Sequence, residues 1–309
     1  MGKYIVRRLL QMGLVLFGAS LVLFACLYIL PGDPISTLGG GEKARDPATK
    51  ALLMKRYNLD QPLAVQYTRY VTNVAKGDLG TSFRLRRPVN DIIKEKIWNT
   101  ARLALAAILF TILIGISAGV IAAVLQYSFW DVLVTLTTTL AIGFPTFVIG
   151  LIFQYRFALR WHVLPLSGHN GGLKSFLLPG LTLASVDAAL VARLMRGTML
   201  EVMRADYIRT ATAKGLSKRV VILKHAMRNS IIPVVTYLGI SFGTLLGGAL
   251  ITEVIFNWNG IGSTLVTAIS TQDNPIVLGV STYAVLIFVL VNLFVDVAYG
   301  FLDPRIRLE

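Results

Sequence analysis

An all-α polytopic membrane protein with six transmembrane helices is the fold class this sequence predicts, on three observations. The 309 residues are 55% hydrophobic and only 15% charged, well below the ~25% charged fraction of soluble domains. Six apolar runs reach the roughly 20 residues a helix needs to cross a bilayer: Leu9–Leu30, Arg102–Leu125, Val132–Phe157, Phe176–Met195, Ile232–Phe256 and Ile276–Gly300. Basic residues gather at alternate ends of these runs, as Lys3, Arg7 and Arg8, as nine residues between Arg193 and Arg228, and as Arg305 and Arg307. The excess of Lys and Arg on cytosolic flanks puts all three clusters, and both termini, in the cytosol. The basic segment from Pro31 to Asn99 then lies outside, where long loops escape the charge rule.

The net charge of +14 is spread over membrane flanks and does not form one basic module, which argues against nucleic acid and for anionic lipid and an acidic partner surface. The single Cys26 lies inside the first span, so no internal disulfide is expected. Leu23-Phe24-Ala25-Cys26 faintly resembles a lipoprotein cleavage site, but the apolar run continues to Leu30 and no small residue precedes Ala25. The first span is therefore expected to stay as an anchor.

Beyond the first span, Pro31-Gly32-Asp33-Pro34 predicts a tight exit turn. Asp46 and Pro47 open a helix toward Tyr57 and Asn58. Asp60 and Pro62 open another, with Leu63, Tyr67, Tyr70, Val71 and Val74 on one face and Gly77 at its end. Together they predict a small external helical subdomain that either meets another protein or only fixes topology. The run Arg84, Arg86, Arg87 reads as solvated charge or as a dock for an acidic partner. From Pro88, Val89, Ile92, Ile93 and Ile97 predict an interfacial helix with Trp98 at headgroup depth.

Gly115 and Gly119 in the second span, and Gly239, Gly243 and Gly247 in the fifth, stand four apart and predict backbone contact between helices, the threefold repeat being the stronger signal. The sharper expectation is that the second ridge meets a second membrane protein. Gly143 and Pro145 predict a kink in the third span. Asp187, Glu253 and Asp296 lie within or beside spans, where ionisable groups are costly and often functional. Asp187, the deepest, either attracts a cargo ammonium or another cation, or is a satisfied structural group, for example one paired to an arginine. The structural reading is the preferred one.

The basic insert Glu201–Pro233 is the largest cytosolic surface. Tyr207, Ile208 and Ala211 share a helical face, with Arg204, Arg209 and Lys214 around it. Gly215 supplies a left-handed stop, and Ser217 caps a second helix with Val220, Val221 and Leu223 as apolar positions. Small residues at Ala211, Ala213 and Gly215 leave room for another protein's backbone. The plainer reading is a topology-fixing basic loop, which explains the charge but not the bend.

No chemistry of the chain's own is legible. His162, His169 and His225 fall on two sides of the membrane and form no zinc-binding pair. Gly171-Gly172-Leu173-Lys174-Ser175 lacks Walker A spacing and faces outward, and no nucleophile elbow exists. The chain is read as no enzyme, binding no cofactor and no metal.

Arg209, Thr210, Ala211 and Gly215, followed by Ile232 and Pro233, resemble the coupling loop of bacterial ABC importer permeases, whose pattern is Glu-Ala-Ala, three residues, Gly, and a later hydrophobic residue and Pro. Arg209 and Thr210 stand for Glu and Ala, a variant similar to the dipeptide, oligopeptide and nickel permease branch. Asn58-Leu59-Asp60-Gln61-Pro62-Leu63, Val65-Gln66-Tyr67 and Gly77-Asp78-Leu79-Gly80-Thr81-Ser82 resemble that branch's external segment. The turn Leu164-Pro165-Leu166-Ser167-Gly168, Thr252-Glu253-Val254-Ile255-Phe256-Asn257-Trp258, Gly260-Ile261-Gly262, Asp296-Val297 and Leu302-Asp303-Pro304-Arg305-Ile306-Arg307 resemble it too. Asn259 and Ser263 replace the branch's usual Pro and Arg, so no role for that arginine carries over.

The resemblance implies the type I ABC importer transmembrane fold, divided as 1–30 (cytosolic stub and first helix), 31–99 (external subdomain and interfacial helix), 100–300 (five-helix core with coupling loop 201–230) and 301–309 (cytosolic tail). It implies a pore-forming subunit in a bacterial inner or plasma membrane, translocating di- or oligopeptides from an extracytoplasmic binding protein. The implied partners are a second permease in a pseudo-twofold pair and two ATPase subunits or domains that use ATP and Mg. Asp206, Tyr207, Arg209, Thr210, Ala211, Lys214 and Gly215 are the implied ATPase-coupling residues. The alternatives are nickel or short oligosaccharides on the same machinery, or an ion-coupled carrier, which would need a carboxylate relay or inverted repeats not seen here.

Overall fold

The computed structural model describes residues 2–28, Met54, 60–168 and 172–302. Every named element among them is a helix: α1 (Gly2–Tyr28), α2 (Leu63–Ala75), α3 (Val89–Val124), α4 (Phe129–Gly143), α5 (Thr146–Arg160), α6 (Gly172–Met203), α7 (Asp206–Ala213), α8 (Lys218–Ser230), α9 (Ile232–Leu246), α10 (Leu250–Ile255), α11 (Ile261–Ser270) and α12 (Asn274–Leu302). Four helices are long and apolar enough to cross a membrane: α1 over Val6–Leu27, α3, α6, and α12 over Asn274–Val295. The pairs α4 with α5 and α8 with α9 pass the same test but are bent by 104° and 51°, giving six crossings if each pair is one span. Helices suit this role because they satisfy every backbone group within their own segment. The exit turn at Pro31–Pro34, the helix expected from Asp46, His169 and Gly171 lie outside the described residues.

The break between α4 and α5 falls where Gly143 and Pro145 predict it. Phe144 is extended (φ −95°, ψ 137°) and Pro145 follows at φ −58°, ψ 134°, because proline disfavours helical backbone in the residue before it and has no N–H to donate. The fifth span differs from expectation. Its helix stops at Leu246 and not at Phe256, since Gly248 adopts φ +113° and its α-carbon lies where an added Cβ would meet Gly262 Cα at 3.0 Å. The helix follows α8 with a bend of 51°, so the insert and the fifth span form one bent element.

The described residues divide into two compact units, drawn from 1–100, 246–250 and 259–290, and from 101–245, 251–258 and 291–309. In the first, Phe24 of α1 meets Tyr67 edge-on at 5.3 Å and stacks on Tyr70 at 6.0 Å. Tyr67 shares a 2.9 Å hydrogen bond with Ser20, and Tyr70 one of 2.6 Å with Thr282. Two tyrosines thus fasten α2 to α1 and α12, and burial pushes the Tyr70 phenol pKa up. The predicted apolar face is narrower than expected, with Leu63 and Val71 exposed. Gly77 ends the region at φ +80°. The buried carboxylate of Asp273 accepts hydrogen bonds from Ser82 Oγ at 2.6 Å and from the N–H groups of Phe83 at 3.1 Å and Arg84 at 3.2 Å.

Beneath this loop Val89, Ile92 and Ile93 pack with Ile261, Leu265, Ile276 and Val280. The stretch from Val89 to Trp98 runs without a break into the second span, as a helix leading into that span should. It is the start of the 36-residue α3, in which Val89, Ile92 and Ile93 are buried while Trp98 is exposed.

The second unit is built on α6. A Cβ added at Gly115 would lie 2.8 Å from Val191 Cβ and 2.9 Å from the Ala188 carbonyl oxygen. One at Gly119 would lie 2.6 Å from both the Ala192 carbonyl oxygen and Met195 Cβ. Here α3 and α6 touch backbone to backbone, and Gly115 sits in a widened π-type turn, Ile112–Ile116. The fifth-span ridge is the weaker case, against expectation. Gly247 lies beyond the end of α9, and Gly239 faces the Val295 side chain, while Gly243 is buried.

Gly119→Val forces atoms into the Ala192 carbonyl and should cost about 3 kcal/mol, the upper end of overpacking penalties. Thermal unfolding in detergent checks this, with Gly197→Ala, which meets nothing within 4 Å, expected to hold or gain stability.

Candidate functional site

The candidate site is the bend formed by α7 and α8. Gly215 takes φ +79°, a conformation that suits glycine because it has no Cβ, and so turns the chain between the two helices as its position predicts. Ser217 begins α8 with extended backbone (φ −60°, ψ 145°) but makes no side-chain cap hydrogen bond. The cap is a backbone shape only.

The face that anchors the bend is narrower than the sequence reading. Ile208 and Ala211 of α7 are buried, as are Val221 and Ala226 of α8. These four join Val191, Met195 and Met199 of α6 and Val234 and Leu238 of α9 in a single apolar cluster. Tyr207, expected on that face, is 43% exposed, and Val220 and Leu223, expected as apolar contacts of the second helix, are 38% and 48% exposed. The reason is geometric. The buried stripe runs through Ile208 and Ala211, and Tyr207 turns aside, its hydroxyl accepting a 2.8 Å hydrogen bond from Asn229 Nδ2. Thr198 Oγ1 donates to the Ser230 carbonyl at 2.9 Å, a further tie from α6 to the end of α8.

The outer surface gathers the sequence-predicted coupling residues. Asp206, Tyr207, Arg209, Thr210, Lys214 and Gly215 are all exposed, and of that set only Ala211 is buried. Exposed Leu216 and Ala213 lie beside them. Arg209 reaches Asp206 at 3.7 Å, but both side chains are largely in solvent, where such pairs contribute little. An exposed mix of apolar and basic residues on a rigid bend is suited to seating in a groove of another protein.

Sequence reasoning missed Asp131. Its carboxylate is buried and accepts two hydrogen bonds from Arg196, Nε to Oδ1 at 2.7 Å and Nη2 to Oδ2 at 2.8 Å. The Tyr127 N–H adds a third at 3.0 Å. Arg193, one turn away, donates to Thr139 at 2.6 Å and Thr138 at 3.4 Å. This two-pronged pair pins the start of α4 to α6. The available signal was an acid at the first turn of one span and an arginine near the end of the next.

Asp187 stands elsewhere on α6. It is half-buried and accepts hydrogen bonds from Tyr237 Oη at 2.7 Å and Ser241 Oγ at 2.5 Å, both on α9. The expected arginine partner is not there. Glu253 is fully buried on α10, and the Asp296 side chain lies outside the described residues. Among the described residues no three His, Cys, Asp or Glu side chains gather as a metal site would require.

Residues 115–308 match the family model described as "Binding-protein-dependent transport system inner membrane component", and residues 1–104 match the N-terminal model of such membrane components. The chain is 38% identical over 331 aligned positions to the dipeptide transport system permease protein DppB of Alkalihalophilus pseudofirmus, covering 98% of this chain and 99% of that one. It is also 38% identical over 305 positions to the glutathione transport system permease protein GsiC of Escherichia coli K12, covering 99% of each. Among solved structures, an inward-facing MetNI methionine ABC transporter aligns with a TM-score of 0.57 at 14% identity, over 69% of this chain and 96% of that one. An amino acid ABC transporter with histidines aligns at 0.51 and 15% identity, over 70% and 94%. At such identity the likeness is one of fold.

Removing one partner of the Asp131–Arg196 pair leaves the other charge without its match. Asp131→Ala should cost ~2 kcal/mol, the scale of hydrogen bonds to charged groups. Arg196→Ala should add little once Asp131 is gone, and a double-mutant cycle on unfolding in detergent checks the coupling.

Proposed function

Since the chain belongs to the binding-protein-dependent transport system inner-membrane components, we propose that its cargo is a di- or oligopeptide and that the α7–α8 bend receives the force that moves it. The chain is a membrane-spanning permease subunit of an ABC importer and not a catalytic subunit. Within that role, the bend on α7 and α8 is the observation that carries the reading. It combines a buried inner stripe continuous with α6 and α9 and an outer surface of exposed Tyr207, Leu216, Val220 and Leu223.

The mechanism proceeds in three steps. An extracytoplasmic binding protein delivers the peptide. Two ATPase subunits or domains, which hold ATP and Mg, close on the cytosolic side around Asp206–Gly215. Because Ile208 and Ala211 are packed on Met195 and Met199, motion of the bend carries α6 and α9 with it, and access alternates by rigid-body tilting against a second permease subunit. This chain binds no cofactor itself. Both termini lie in the cytosol, on the side of the nine basic residues between Arg193 and Arg228. Two relatives named for short peptides, a dipeptide and glutathione, support the cargo.

Leu216→Asp puts a charge on the outer surface, away from the buried stripe. We expect a folded permease that retains a tenth or less of its normal ATPase partner on co-purification and loses peptide-stimulated ATP hydrolysis in liposomes. A tenfold loss corresponds to about 1.4 kcal/mol, and undiminished capture and hydrolysis would refute this docking surface.

A further inference from the structure

Asp131 and Asp187, both tied to α6, have different surroundings. Asp131 has an arginine across from it. Asp187 has only two hydroxyls, Tyr237 Oη and Ser241 Oγ, and among the described residues no Lys, Arg or His forms an ion pair with it. It also sits deep. It lies midway along the 32-residue α6, roughly 22 Å from either end at 1.5 Å per residue, and so at the level of the bilayer centre if α6 crosses it.

A carboxylate at that depth is costly, and an ionisable group there marks a substrate or ion pathway unless it is paired. Hydroxyl donors orient the charge without neutralising it. Tyr237 and Ser241 are four residues apart on α9, so they meet the carboxylate from one side. A carboxylate has about four acceptor positions, and these two bonds leave capacity on a side chain that is itself only half-buried. The group is oriented by two hydroxyls and has acceptor capacity left over.

We propose that Asp187 is the cation-recognising group of the translocation path and takes the ammonium of the passing peptide, with Tyr237 and Ser241 holding the carboxylate in position. This rests on the reading of the cargo as a peptide. It makes Asp187 a transient ion-pair partner, binding weakly enough for the cargo to leave because its two hydroxyl bonds persist when the ammonium departs.

The test is ATP-dependent import of radiolabelled trialanine into proteoliposomes holding the complete transporter with its binding protein. Asp187→Asn, which keeps the shape and an acceptor oxygen but loses the charge, is expected to lower import at least about tenfold. Asp187→Glu is expected to recover most of that loss. The pair Tyr237→Phe with Ser241→Ala, which keeps the charge and removes the donors, is expected to cost only about threefold. Import by Asp187→Asn at the wild-type rate overturns the proposal, and so does a loss in Asp187→Glu and in the hydroxyl variant as deep as that in Asp187→Asn, since shape and not charge would then be what matters. No trialanine import by the wild-type transporter overturns the peptide reading itself, and the proposal with it.

Discussion

Everything in the second unit depends on the continuity of one apolar cluster, from Val191 and Met195 in α6 through Met199 to Ile208 and Ala211 in the bend. A basic loop fixed only by topology would flex independently of the spans. Here the loop's inner stripe is part of the same close-packed interior as the helices, and such interiors transmit displacement because they have few soft directions. The glycines at 115 and 119 make this possible upstream, since only without side chains does α3 come near enough to hold α6 in place.

Three kinds of tie keep α6 fixed along its length. At one level there is backbone contact with α3, at another the Asp131–Arg196 pair with α4, and between α6 and α8 the Thr198 to Ser230 hydrogen bond. The ion pair contributes orientation more than net stability, because desolvating two charges offsets much of their attraction. Asp187 belongs to a different category. It joins α6 to α9 through hydroxyls alone, a contact that holds two helices and leaves charge in reserve.

The sequence made the helical class, the kink at Pro145 and the bend at Gly215 legible, because length, proline and positive φ each have a local cause. What escaped it depended on partners distant in the chain. Asp131 became informative only when α6 brought Arg196 within 2.7 Å, and Asp273 only when the 82–84 loop folded over it. Tyr207 was misread because helical periodicity tells which residues share a face and not how wide a stripe the neighbours cover. The fifth span was drawn too long because an apolar composition runs through Gly247 and Gly248, where the backbone nevertheless turns. The glycine ridges show the same limit: spacing marks a candidate contact, while the identity of the opposite residue decides whether backbones meet.

The central claim is that the bend and the core move as one body. The direct measurement is a spin-label distance between Thr212→Cys and Leu136→Cys, both exposed, in a Cys26→Ser background, taken in the assembled transporter without nucleotide and with ATP trapped. The account predicts the same distance in both states. A change of about one helical turn, ~5 Å, would mean that the bend slides on the core, and would contradict it.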